Sequence, residues 1–113
     1  MEIVDRPITL ERLVAMAEAG FGDLVKAVVD VERGLMAVDA ELHSDEEALL
    51  LADGSRQDYL WGINLYPALS GDDFIEFDSM INLRPSQGNR SREVQDPVIR
   101  ARIIDIVESL VAS

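Results

Sequence analysis

The sequence contains no cysteine, one histidine and one lysine among its 113 residues. The absence of cysteine excludes disulfide bonds, cysteine metal sites and thiol catalysis. A lone histidine lacks the usual partners of a zinc site, so we expect no metal and no cofactor. No apolar run reaches the roughly 18 residues of a membrane-spanning helix. The acidic, polar start MEIVDRPITLERL lacks the basic and apolar regions of a signal peptide, which predicts a cytoplasmic protein.

Positive charge is scarce, with 10 Lys and Arg against 22 Asp and Glu and a net charge of −12. Coulomb repulsion at this charge argues against binding to nucleic acid or to an anionic membrane. Five arginines lie between Arg84 and Arg102, where Glu93 and Asp96 are the only acids, so that this segment carries +3 and the rest of the chain −15. A general bias toward arginine would scatter these residues, and their clustering therefore singles out the segment.

The apolar residues are periodic and make up 48% of the chain, which is enough to bury a core. Residues 1–113 are therefore predicted to form a single compact α+β domain in the order α-β-β-α-β-β-α. Three helices pack on one face of a four-stranded, mainly antiparallel sheet in this prediction. The predicted strands cover residues 24–32, 35–42, 59–66 and 74–84, and the helices begin at Thr9, Ser44 and Asp96.

Two local patterns predict details of this fold. The Arg-Gly pair at positions 33 and 34 predicts a two-residue hairpin turn that pairs Glu32 with Leu35. Ser44 followed three residues later by Glu47 fits a capping box, in which each side chain bonds the other residue's backbone amide.

Four stretches of the chain resemble a family of small prokaryotic proteins known only as a domain of unknown function. These stretches are DLVKAVVDVERGLMAV, ELHSDEEALLL, LWGINLYP and INLRPSQGNRS, and the last is the most specific. The resemblance covers nearly the whole chain and implies a single compact domain. It brings no assigned catalytic residues.

The polar loop 84–92 is the leading candidate for a ligand site. Guanidinium groups present paired donors to carboxylate or phosphate oxygens, neutral side chains add further donors, and Gly88 lets backbone amides approach a ligand. The predicted binding residues are Arg84, Ser86, Gln87, Asn89, Arg90 and Arg92, with Asn82 beside them on the preceding strand. The alternative is a structured loop whose arginines pair with the protein's own carboxylates.

Asp78 and His43 are the two candidates for catalysis. Asp78 lies on the polar face of the predicted last strand, where a neighbouring cation would let it act as a base. His43 lies at the junction of a strand and a helix and could serve as a general base oriented by a carboxylate. Each also has a plain structural interpretation, Asp78 as a solvated surface acid and His43 as a capping or surface residue.

Two functions follow from these patterns. The first is a small domain, enzyme or not, that binds a small anionic ligand, phosphate or carboxylate, at the loop 84–92. The second is a non-enzymatic interaction module or homodimer that uses the outer face of the sheet. That face would carry Leu60, Tyr66, Phe74 and Met80 if no other element covered it.

Overall fold

A five-stranded antiparallel sheet forms the centre of the computed structural model, which describes residues 1–112. Its strands lie in the order β1-β4-β3-β5-β6, and a two-stranded parallel pair, β2 and β7, joins the two ends of the chain. The strands are β1 (Glu2–Val4), β2 (Ile8–Thr9), β3 (Val25–Asp30), β4 (Leu35–Val38), β5 (Leu60–Leu65), β6 (Ile75–Glu76) and β7 (Val111–Ala112). The helices are α1 (Leu10–Ala19), α2 (His43–Ala52) and α3 (Pro97–Leu110).

The helices cover both faces of the sheet. On one face, α1 and α3 bury residues such as Leu13 and Ile103 against alternate side chains of β3, β4 and β5. On the other face, α2 packs Leu50 against Val28, Ala37 and Leu60. The prediction of three helices on one face is therefore wrong, because the central strands are apolar on both faces and each face needs a cover. Leu60, one of the residues expected on an open outer face, is completely buried beneath α2, whereas Met80 is 63% exposed, and a homodimer stays a prediction.

The sheet differs from the prediction at both edges. An extra strand, β1, pairs with β4, and it was missed because it is only three residues long. The predicted strand 74–84 is a strand only over Ile75–Glu76, followed by short 3-10 turns at Met80–Asn82 and Pro85–Gln87. The α+β class, the three helices and the antiparallel pairing are confirmed, while the four-stranded sheet and the element order are wrong in detail.

The hairpin between β3 and β4 pairs Asp30 with Leu35 and Val29 with Met36. The predicted pairing of Glu32 with Leu35 is wrong by two residues, a shift that keeps every side chain on its predicted face. The longer turn is stabilised by the buried carboxylate of Asp30, whose Oδ1 accepts hydrogen bonds of 2.9 Å from the backbone amides of Glu32 and Arg33.

Replacing Asp30 by Ala should lower the free energy of unfolding by about 1 to 2 kcal/mol, since two turn amides lose their acceptor. Asp30→Asn keeps an acceptor oxygen and is the matched control, with a smaller expected loss. Urea unfolding of both variants measures the difference. An equal loss in both would show that the turn depends on the charge of Asp30 and not on its hydrogen bonds.

Helix α2 begins without the predicted capping box. Leu42 occupies the N-cap position, and no side chain bonds the first turn of the helix. Glu46 instead reaches back, and its Oε2 accepts a hydrogen bond of 3.0 Å from the Ala40 amide. The Glu46 carboxyl is completely buried, its Oε1 has no hydrogen-bond partner among residues 1–112, and burial raises its pKa to about 9. Glu46 therefore connects the helix to the preceding loop as a neutral acid.

Candidate functional site

Polar side chains from five parts of the chain line a cleft of about 190 Å³ beside the start of α2. Lys26 and Asn64 are direct partners across β3 and β5, so both side chains lie on the sheet face that α2 covers. His43 is the first residue of α2, and Asp78 and Arg92 complete the polar lining. The fold thus brings three residues singled out from the sequence, His43, Asp78 and Arg92, to one cleft.

His43 presents a defined acceptor at this cleft. Its Nε2 lies 2.7 Å from the Ile63 carbonyl oxygen, which can only accept, so Nε2 carries the proton and Nδ1 keeps a lone pair. Burial of the ring has the largest effect on the pKa of His43 and lowers it. The hydrogen bond to Ile63 and the charge of Asp78 raise this pKa, and the charges of Lys26 and Arg92 lower it, so that the net shift is downward. His43 is therefore neutral at pH 7 and able to accept a hydrogen bond or a proton.

Asn64 contributes a second acceptor. Its Nδ2 donates to the Glu76 carboxylate at 2.8 Å and to the Asp78 carbonyl at 3.3 Å, and both partners are acceptors, which fixes the orientation of the amide. Its Oδ1 is buried and has no partner within residues 1–112. An unpaired buried acceptor costs free energy, so this oxygen is an unsatisfied polar atom of a residue that lines the cleft.

Asp78 and Arg92 form an ion pair at the mouth of the cleft. Nε of Arg92 donates to Oδ1 of Asp78 at 2.8 Å and Nη2 to Oδ2 at 3.3 Å, in a bidentate arrangement. Both side chains keep about half of their surface exposed, 55% for Arg92 and 40% for Asp78. The pair therefore leaves donors of Arg92 accessible, and together with Lys26 it gives the cleft a surplus of one positive charge.

Arg84, the first residue of the predicted loop, is held by the backbone. Its guanidinium donates to the carbonyl oxygens of Ile81 at 2.9 Å, of Gln57 at 2.8 Å and of Leu60. The group also lies over the Trp61 ring, 4.3 Å from its centroid. Arg84 thus takes its acceptors from the protein's own main chain, although not from carboxylates.

The side chain of Asn82 bonds the edge of β5 where the backbone of a neighbouring strand would otherwise pair. Its side chain accepts from the Gly62 amide at 2.8 Å and donates to the Gly62 carbonyl at 2.9 Å, which are the bonds a neighbouring strand would make. A second donated bond, 3.0 Å long, reaches the carbonyl of Arg92. A Cβ atom at position 62 would lie 2.5 Å from Ser79, so only glycine allows this close approach.

Asn89 fixes the rest of the loop. Its buried Nδ2 lies within 3.0 Å of the carbonyl oxygens of Asn82, Ser91 and Glu93, and its Oδ1 accepts from the Gln95 amide. Gln87 donates to the Asp58 carbonyl and accepts from Arg84. The exposed Ser86 and Arg90 lie on the outside of the loop. Ligand binding by these loop residues stays a prediction.

His43, Asp78 and Arg92 were each predicted separately from the sequence, but Lys26 was not recognised as a member of the same site. Its position follows from the pairing of β3 with β5, which is distant in sequence and leaves no local pattern. The unpaired oxygen of Asn64 could not be predicted from the sequence, because it depends on the bonds of this side chain to Glu76 and Asp78.

Neither a group of three metal-ligating side chains nor a membrane-spanning helix is found within residues 1–112. No three His, Asp or Glu side chains of this part of the chain group closely enough to hold a metal ion. None of its helices has both the length and the apolar character needed to cross a membrane.

The family model described as "Protein of unknown function (DUF5674)" matches residues 2–110. No curated protein and no solved structure matches the chain. The resemblance stated from the sequence is thereby confirmed as membership in a family of unknown function.

Proposed function

The chain belongs to the DUF5674 family of proteins of unknown function, and we propose that it binds a small anionic molecule in the cleft between α2, β5 and Arg92. The observation that carries the proposal is the unpaired, buried Oδ1 of Asn64 at a cleft that also holds Lys26 and Arg92. A ligand with an anionic group and a neighbouring hydrogen-bond donor matches both features.

The charges of the cleft support an anion in particular. Arg92 offers a planar set of donors suited to carboxylate or phosphate oxygens, and Lys26 adds a second cation. The neutral His43 and Asn64 would accept from a hydroxyl or amino group of the same molecule. A hydroxy acid or a hydroxylated phosphate ester therefore fits the site better than a simple anion.

His43 would then be the group of this protein that takes a proton from the bound molecule. Its Nδ1 is unprotonated at pH 7 because burial lowers its pKa, as a general base requires. Asp78 would act through Arg92, which it holds in place by two hydrogen bonds.

Binding of glycolate or glycerol phosphate should raise the stability by about 2.7 kcal/mol at 100 times the dissociation constant. Acetate and inorganic phosphate should bind more weakly, since acetate has no donor and phosphate presents mainly acceptors. Arg92→Ala should weaken binding by about tenfold or more, through loss of a charge-assisted contact. The same change should cost under about 1 kcal/mol of stability, because the ion pair is half exposed. Calorimetric titration and urea unfolding measure the two effects.

Arg90→Ala is the matched control, because Arg90 belongs to the same loop but does not line the cleft. It should leave binding unchanged. If Arg90→Ala abolishes binding and Arg92→Ala does not, the ligand binds at the outside of the loop. If none of the four anions binds, the proposal of an anion site is wrong.

One observation favours a second location, at the loop itself. Gln87, Gly88 and Asn89 line a hollow of about 280 Å³ together with Trp61. The indole of Trp61 is buried, and its Nε1–H has no partner within residues 1–112. An acceptor oxygen of a ligand would satisfy this donor, although the carboxylate of Asp96 at the same hollow opposes an anion.

A further inference from the structure

A large groove lies on another side of the molecule, between β6 and α3. It has a volume of about 770 Å³, and a second hollow of about 380 Å³ shares Ile75, Phe77 and Arg100 with it. Its floor is apolar, and two side chains that line it, Leu69 and Ile104, are 49% and 36% exposed. None of the residues that line the proposed ligand cleft lines this groove.

The sheet ends at this groove with an open edge. Strand β6 pairs with β5 on one side and has no strand on the other within residues 1–112. The Tyr66 amide donates to the Phe74 carbonyl at 2.9 Å, so these two residues form a hydrogen-bonded pair of the antiparallel ladder. Hydrogen-bonded pairs recur at every second residue of a strand, so Phe74 and Glu76 each bond to β5 through their backbone. Ile75 lies between them, and its backbone N–H and C=O therefore point away from β5 toward the open edge.

The groove is strongly acidic at its rim. The residues that line the two hollows include five carboxylates and one guanidinium, that of Arg100. The guanidinium lies over the Phe77 ring, 4.3 Å from its centroid. The carboxylates belong to Asp72, Asp73, Glu76, Glu93 and Glu108. A positively charged partner is favoured at such a rim, and a second copy of this acidic chain is not.

We propose that this groove binds an extended segment of another protein in which apolar residues alternate with lysine or arginine. The segment adds a strand to β6 through the backbone groups of Ile75. In an extended strand successive side chains point to opposite sides, so one set enters the apolar floor and the other meets the acidic rim. The proposal does not depend on an anion in the cleft, which lies elsewhere.

The test is a selection of random ten-residue peptides displayed against the full chain, followed by fluorescence polarisation with the synthetic peptides. Enriched peptides should alternate apolar and basic residues. Their binding should weaken by about tenfold or more in Ile104→Glu, where a carboxylate enters the apolar floor. Val98→Glu is the matched control, because Val98 is an exposed apolar residue of the same helix that does not line the groove. It should bind as the unchanged protein does.

Methylation of single peptide amides tests the strand addition itself. A methyl group on the amide that faces Ile75 should abolish binding, and one on the next amide should have little effect. Enrichment of acidic or helical peptides, no enrichment at all, or equal binding to Ile104→Glu would overturn the proposal. Self-association of the unchanged protein that Ile104→Glu abolishes would show that a second copy occupies the groove.

Discussion

Asn82→Ala is expected to lower the free energy of unfolding by about 3 kcal/mol, because it leaves two buried backbone groups without partners and removes a bond to a third. The two groups are the amide and carbonyl of Gly62, and the third is the carbonyl of Arg92, which still accepts from the Ser79 amide at 3.1 Å. Asn82 is completely buried, so water cannot replace the lost bonds without entry into the fold. Urea unfolding of the variant measures the loss, which should also lower the melting temperature by about 10 °C or more.

Two further variants separate the causes of this loss. Asn82→Asp keeps the shape and one acceptor but loses both donated bonds, and it should be destabilised to a similar degree. Ser86→Ala changes an exposed residue of the same loop and should have no effect. A melting temperature that Asn82→Ala leaves unchanged would contradict the structural role of Asn82 and favour the predicted role in ligand binding.

Glu46→Gln is expected to raise the free energy of unfolding by about 3 kcal/mol at pH 7. The pKa of Glu46 is about 9 in the fold against 4.5 for an ordinary carboxyl. Between these two values the unfolded chain loses the proton and the folded chain keeps it, so stability falls as the pH rises. Glutamine keeps the oxygen that accepts from Ala40 and removes this cost.

The pH dependence provides the sharper measurement. The difference in stability between Glu46→Gln and the unchanged protein should be near zero at pH 4 and grow by about 1.4 kcal/mol per pH unit up to pH 9. Glu41→Gln removes a charge from an exposed residue just before the same helix and is the control for overall acidity. A constant difference at all pH values, or an equal gain in Glu41→Gln, would show that burial of Glu46 is not the cause.

The elements with local signals could be predicted from the sequence. Thr9 accepts from the Arg12 amide at the start of α1, and Asp96 with Pro97 begins α3, both as expected. These caps act within a few residues of the chain, so their chemistry is visible in the pattern. The error in the predicted hairpin turn also has a local cause. An Asp side chain such as that of Asp30 can accept from the backbone amides two and three residues later, which favours the longer turn.

The segment after β6 could not be predicted, because its hydrogen bonds join distant residues. The alternation from Phe74 to Arg84 is typical of a strand, yet Asn82 and Arg84 use side chains where a strand would use its backbone. The ligand cleft could not be predicted from the sequence for the same reason. His43, Asp78 and Arg92 carry recognisable chemistry, but only the folding of five separate segments brings them to Lys26 and Asn64.

Because Arg84 lies over the Trp61 ring, the fluorescence of Trp61 reports whether the loop that begins at Arg84 stays in contact with β5. Trp61 is the only tryptophan in the sequence. Excitation at the long-wavelength edge of the indole absorption band therefore gives fluorescence from this one site, where Arg84 contacts the ring. A guanidinium in contact with the ring perturbs its excited state, and departure of the loop from β5 would change the emission maximum and the lifetime together. Opening of this segment can thus be timed in a stopped-flow instrument without any attached dye.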